Sequence, residues 1–241
     1  MVTAGMRRYR VRNDHQATLV GELWPTPIDA DALFADSAAA GGPIRLEIGC
    51  GHGEFIAAMA AHHPHERFLG IEHDNIRVTK CAHKCLKSGA TNVRLFSDEA
   101  HRCVRFRIAP ASLSRIYILF PDPWPKAGHR RRRLLTRAFL LDLAHAAAPG
   151  CRFIMASDAH EYAFQCLSNT TTLPGLWRSR LPGGYAIDRP TRFPTLFEQH
   201  KKSEGHRIVY LELERTRMPA PERTPWVRLA GPTAGNDADE A

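Results

Sequence analysis

The sequence predicts an α/β fold, a doubly wound and mostly parallel sheet with an antiparallel strand near the C-terminus. Three observations predict it. Short apolar runs alternate with helix-length segments between residues 44 and 167, the spacing of a parallel sheet with helices on both faces. The run at 114–120 (SRIYILF) is apolar enough to be covered on both sides. Glycines or acids follow each apolar run, and the carboxyl ends of the strands are where an open parallel sheet holds its ligand.

The elements follow in order. Residues 1–43 show no sustained period, and Pro25, Pro27 and the Ala/Gly run at 38–42 read as an N-terminal arm. Residues 44–48 form a first strand that ends in Gly49-Cys-Gly-His-Gly53. Residues 54–62 (EFIAAMAAH) read as a helix, stopped before Pro64. Residues 67–72 (RFLGIE) are a second strand, 75–87 a helix leaving through Ser88-Gly89, and 92–96 a third strand. The fourth strand is 114–120. An apolar-periodic helix over 134–148 is closed by Pro149-Gly150, and 151–156 (CRFIMA) is the fifth strand. A helix over 160–167 follows, and 207–213 (RIVYLEL) is a further strand, antiparallel at one end of the sheet. The domain thus spans 44–215. Residues 216–241, rich in Pro, Gly, Ala and acids from Pro219, read as a loose tail.

The 241 residues are 44% hydrophobic and 24% charged, enough for one sizeable core and unlike a disordered or collagenous chain. No apolar run approaches the ~18 residues of a membrane span, and the N-terminus MVTAGMRRYRVRND lacks an apolar h-region. A cytoplasmic protein with no membrane partner is expected. Six cysteines form no C-x-x-C pair and read as reduced thiols. Neither Cys81, His83 and Cys85 nor His62, His63 and His65 offer four convergent ligands, so no metal is expected. Lys plus Arg is 33 against 25 Asp plus Glu, a net charge of +8, which points to a polyanionic partner, nucleic acid above all. The charge is clustered at Arg7 to Arg12, at Lys126 and 130–137, and at Arg189, Arg192, Lys201, Lys202, His206 and Arg207.

Chemistry concentrates at the strand ends. Gly49, Gly51 and Gly53 are spaced G-x-G-x-G rather than G-x-G-x-x-G, and no Walker lysine follows. Glu72 stands where an acid accepts both hydroxyls of an adenosine ribose, and Asp98 is within reach of an adenine amino group. A glycine loop with two acids suits S-adenosylmethionine, a sulfonium with an ammonium, better than a pyrophosphate. A structural turn with solvated acids is the plain alternative. After the fourth strand, Asp122 is fixed between Pro121 and Pro123. Trp124 offers a face for a base, and the run from His129 to Arg133 could grip phosphates. Here the plain alternative is a Pro-rich turn before a solvated helix.

The segments LEIGCGHGEF, FLGIE, FPDPWPKAGHRRRR, ASD-x-x-EY and TLFEQHKKSEGHRI, in that order over residues 46–215, resemble the bacterial tRNA (guanine-N7-)-methyltransferase family. The resemblance implies a Rossmann-like class I methyltransferase fold, S-adenosyl-L-methionine as cofactor, and a guanine in the variable loop of tRNA as substrate. It implies that Glu47, Glu72, Asp98 and Asp122 lie at the cofactor with the glycine loop, and that Asp122 is the catalytic acid. Lys126, Asp158, Thr195, Leu196, Phe197 and Glu198 would contact the substrate. Gly128, His129, Arg130, Arg131, Arg132 and Arg133 would contact RNA. Two departures stand out: Glu99 follows Asp98 where the family has a small residue, which allows a one-residue shift of the adenine contact, and Ser157 replaces the usual Thr. Methylation of an exocyclic base amine, and non-catalytic RNA binding on a decayed methyltransferase fold, remain alternatives. Monomer and homodimer are both open.

Overall fold

The structure, a computed structural model, describes residues 18–20 and 27–222. The Arg7 to Arg12 cluster and the tail beyond 222 lie outside the described residues. Strands β1 (Thr18–Val20), β2 (Ile44–Ile48), β3 (Arg67–Glu72), β4 (Val93–Ser97), β5 (Leu113–Leu119), β6 (Ala147–Ser157), β7 (Trp177–Ser179), β8 (Ala186–Ile187) and β9 (Val209–Arg215) form one sheet. Between them run α1 (Ala30–Leu33), α2 (Glu54–His62), α3 (Asn75–Lys87), α4 (Ala100–Phe106), α5 (Arg137–Ala146), α6 (His160–Thr171) and α7 (Leu196–Ser203). The strand order is β1-β4-β3-β2-β5-β6-β9-β7, with β8 also beside β9. The six strands from β1 to β6 pair in parallel, and β9 runs antiparallel to β6, β7 and β8. This is the doubly wound sheet that the alternating pattern predicts. Its order reverses at β2, between β3 and β5, which opens a crevice at their carboxyl ends.

Strand alternation divides the core. Leu46, Ile48, Leu69, Ile71, Ile116, Ile118 and Phe153 meet Cys103, Phe139, Leu140 and Tyr162 from α4, α5 and α6. On the other face, Phe68, Val93, Leu95 and Tyr117 meet Ile56 and Met59 of α2 and Val78, Cys81 and Cys85 of α3. All six cysteines are buried free thiols among these layers. No helix of the described residues is long and apolar enough to cross a membrane.

Several elements differ from the sequence expectation. The helix expected over 134–148 begins only at Arg137, where the Thr136 side chain accepts from the Phe139 N–H at 3.2 Å. β6 follows it directly, running through Pro149-Gly150. Leu113 pairs with Ala147 and Arg115 with Arg152, so the intervening residues form a bulge, with Gly150 at φ 86°. Helix α4 has no counterpart in the sequence pattern; Glu99 caps it, accepting from the His101 and Arg102 N–H groups at 3.0 and 2.8 Å. Part of the expected arm belongs to the body of the fold. Phe34 is fully buried, and the buried Arg94 guanidinium lies 4.5 Å from its ring while donating to the Leu33 carbonyl at 2.8 Å.

Candidate active site

β2 ends at Ile48, and the chain turns through Gly49, Gly51 and Gly53 at φ 76°, 53° and 84°, the left-handed region that favours glycine. Gly53 has a second reason to be glycine. A Cβ there would lie 2.5 Å from Cys81 Sγ and 2.9 Å from its Cα, so the close approach of α2 to α3 excludes any side chain. The Gly51 N–H points at Glu72 Oε2 at 3.1 Å.

Glu72 is buried at the end of β3. Its other oxygen accepts from the Asp74 N–H at 3.1 Å and lies 3.0 Å from His73 Nδ1. The carboxylate is therefore oriented by the glycine loop and by the start of α3. Glu47 is 5% exposed, and its Oε2 makes no hydrogen bond. Burial, with Glu54 and Glu72 nearby, pushes its carboxyl up to about 8. A buried, proton-retaining acid with one unpartnered oxygen, close to the glycine turn, is an environment that a cationic ligand would relieve. The glycine turn, Glu72 and Glu47 thus fit S-adenosylmethionine.

Asp98 lines the crevice, but its carboxylate is held by neighbouring groups of the chain. It is buried, and both of its oxygens are committed: Oδ1 accepts from Arg102 Nε at 2.7 Å and from the Glu99 N–H at 2.8 Å, and Oδ2 from Arg107 at 2.9 Å. Glu99, exposed beside it, is the acid displayed to solvent at the end of β4. No spacing rule reveals Arg107, which reaches Asp98 from the far end of α4.

After β5 the chain makes an irregular loop. Phe120 and Trp124 adopt φ 54° and 40°, strained values for side chains of this size. They bracket Pro121-Asp122-Pro123, and Asp122 is exposed. Gly49, Glu72, Asp98, Glu99, Asp122, Trp124 and Arg132 line a single crevice of about 250 Å³. The face that Trp124 was expected to offer to a base is shared: the Arg132 guanidinium lies 4.9 Å from the ring, and the His129 ring 5.9 Å away edge-on.

The basic run divides in two. His129, Arg130, Arg131 and Arg132 are exposed on a 3-10 turn over Ala127–Arg132, as are Lys126 and Gly128. Arg130 pairs with Glu161 at 2.9 Å. Arg133 stands apart from the other expected RNA contacts, because only 3% of it is exposed. Its Nε donates to the Pro123 carbonyl at 2.7 Å, it donates to Gln165 Oε1, and it lies 5.1 Å from the Tyr162 ring. It clamps the loop carrying Asp122 to α6.

Of the remaining predicted substrate contacts, Thr195 caps α7 by accepting from the Glu198 N–H at 2.9 Å. Glu198 is buried, accepting from Lys202 at 2.6 Å, Thr191 at 3.1 Å and the Tyr210 hydroxyl. It anchors α7 to β9 and does not face the crevice as a free acid. Leu196 and Phe197 are exposed, and Phe197 stands 5.0 Å from Phe120, which sets α7 beside the Asp122 loop. Asp158 is half-buried at the end of β6, and its charge acts on Lys201 of α7.

A sequence-family profile described as "Putative methyltransferase" matches residues 41–211. Among solved structures, the 16S rRNA methyltransferase KamB aligns with TM-score 0.56 at 15% identity, covering 77% of this chain and 94% of that one. The 16S rRNA (adenine(1408)-N(1))-methyltransferase of Catenulisporales acidiphilia aligns with TM-score 0.54 at 16% identity, covering 81% and 95%. These likenesses concern the fold. Relatives named tRNA (guanine-N(7)-)-methyltransferase are closer in sequence. That of Methylococcus capsulatus is 36% identical over 205 residues, covering 83% of this chain and 88% of its own. That of Hydrogenovibrio crunogenus is 34% identical over 209 residues, covering 83% and 85%, and that of Leifsonia xyli 34% over 218, covering 86% and 94%. With such identity sustained across nearly the whole of both partners, the chain belongs to the tRNA (guanine-N(7)-)-methyltransferase family.

Proposed function

We propose that the protein transfers the methyl group of S-adenosylmethionine to N7 of a guanine in the variable loop of tRNA. The observation that carries the reading is Asp122, exposed on a strained loop in the same crevice as the glycine turn and Glu72. When bound, the cofactor supplies a methyl carbon made electrophilic by its sulfonium. Glu72, held by the Gly51 and Asp74 amides, accepts the ribose hydroxyls. Glu47 answers the positive charge of the cofactor. Glu99, which is exposed while its carboxylate caps α4 through the His101 and Arg102 amides, takes the adenine contact, and the buried Asp98 is held by Arg102 and Arg107.

Guanine N7 is a lone pair with no proton to remove, so no strong base is needed. A guanine methylated at N7 is cationic. The protein's task is alignment and charge. Asp122 accepts from the N1–H and N2–H₂ edge and stabilises the developing cation, more in the transition state than in the ground state. Lys126, Asp158 and the exposed Leu196 and Phe197 flank the base, while His129, Arg130, Arg131 and Arg132 meet phosphates. Incubation with labelled S-adenosylmethionine and unfractionated tRNA, followed by nucleoside analysis, tests the reading. Label in 7-methylguanosine is expected. Label in an exocyclic-amine product, or no incorporation, would overturn it.

A further inference from the structure

We propose a second tRNA-docking surface, outside the crevice, formed by Arg152, Arg178, Arg180 and Arg189 on the sheet face over β9 and β7. It rests on the reading of tRNA as substrate. Along β9, Leu211 and Leu213 enter the core, and the alternate residues Glu212 and Glu214 point to the opposite face. Around those two acids stand four arginines. Arg189, Arg152 and Arg180 lie 2.6, 3.5 and 3.7 Å from Glu212, and Arg180 and Arg178 lie 2.5 and 2.6 Å from Glu214.

The layering of this cluster gives it a direction. The glutamate side chains are 11% and 17% exposed, and the arginine side chains 38–67%. The acids form the floor and the guanidinium groups the surface, with two positive charges in excess. Each guanidinium carries five N–H donors in a planar fork. The carboxylates use part of that set and hold the long side chains extended, so less rotamer freedom is lost when a second anion arrives. A fork so presented matches a phosphate. A protein partner would ask for an apolar centre, which an arginine surface does not supply, whereas a polyanion matches the charge excess here and the +8 of the whole chain.

The surface is placed to serve the crevice. β9 runs from Val209, opposite Ser157 at the crevice end, to Glu214, opposite Arg152. Those five steps span about 17 Å, so RNA flanking a guanosine in the crevice could lie along the strand. A surface ion-pair network that merely stabilises the sheet edge would be indifferent to RNA, and that is the contrast to test.

The experiment uses the full chain and the triple variant R178Q/R180Q/R189Q, with tRNA binding measured by filter retention over a salt series. The variant should bind tRNA on the order of tenfold to a hundredfold more weakly, and the slope of log affinity against log salt should fall by about 2. KM for tRNA should rise, while kcat at saturating tRNA and S-adenosylmethionine affinity stay unchanged. An unchanged dissociation constant and salt slope would overturn the proposal. The single variants R178Q and R189Q cover the case in which the triple variant fails to fold. Each should weaken tRNA binding and lower the salt slope by about 0.7–0.9; wild-type affinity and slope in both would overturn the proposal. Wild-type protein that methylates no tRNA would refute the functional reading instead, and wild-type activity with an unaltered variant would refute this surface alone.

Discussion

Glu47 makes the stability of this protein depend on pH in a direction unusual for a carboxylate. Burial, aided by Glu54 and Glu72, raises its carboxyl from 4.5 to about 8. Between those values the folded chain holds a proton that the unfolded chain has released. Stability therefore falls as pH rises through the window, by roughly 1.4 kcal/mol per unit and on the order of 3–5 kcal/mol in all. Below the window both states are protonated; above it both are ionised and the cost is constant. Glu47→Gln keeps the shape and removes the charge. Urea denaturation from pH 5 to pH 8.5 should give nearly equal stabilities at pH 5 and a variant more stable by several kcal/mol at pH 8. Cofactor binding supplies a second readout. A cation beside Glu47 favours its ionised form, so binding at pH 7 should release a proton, seen calorimetrically as a heat that depends on the buffer. Glu47→Gln should lose that dependence. A stability difference that stays constant from pH 5 to pH 8 would refute the reasoning.

Asp122→Asn should lower single-turnover methyl transfer by about 10²–10³-fold with tRNA affinity retained; near-normal transfer would remove Asp122 from the chemistry. Arg133→Lys, which loses the fork that holds Pro123, should reduce kcat on the order of tenfold to a hundredfold, in line with one charged hydrogen bond of roughly 1.5–3 kcal/mol. Its tRNA salt slope should match wild type, and a flattened slope would restore Arg133 to the phosphate contacts. Gly53→Ala should lower stability by about 2–4 kcal/mol, from the left-handed backbone and the overlap with Cys81; an unchanged melting midpoint would contradict that.

Much of the sheet is legible because each strand carries its own signal. Residues 67–72 and 75–87 have the bounds expected of them, since Arg67–Glu72 is buried throughout and Asp74 and Ser88-Gly89 mark the limits of α3. The glycine turn and Asp122 are legible for the same reason, since backbone freedom at Gly49 to Gly53 and rigidity at Pro121 and Pro123 are local properties. What stays hidden depends on partners distant in sequence. Nothing in a row of arginines tells Arg133 from Arg132; Tyr162 and Gln165 on α6 decide that one turns inward. Asp98 looks available until Arg107 is brought beneath it, and Glu198 until Tyr210 of β9 closes on it. Helix α4 is too short to show a period.

The two left-handed residues on either side of Asp122 carry one more consequence. Phe120 and Trp124 hold conformations that a free peptide of this sequence would abandon. The loop's shape is thus lent to it by α6, through Arg133, and by α7, through Phe197. A loop that borrows its geometry is more fragile than the sheet that carries it. On warming, methyl transfer should be lost reversibly several degrees before the strands melt, when the loop relaxes and the crevice remains otherwise intact.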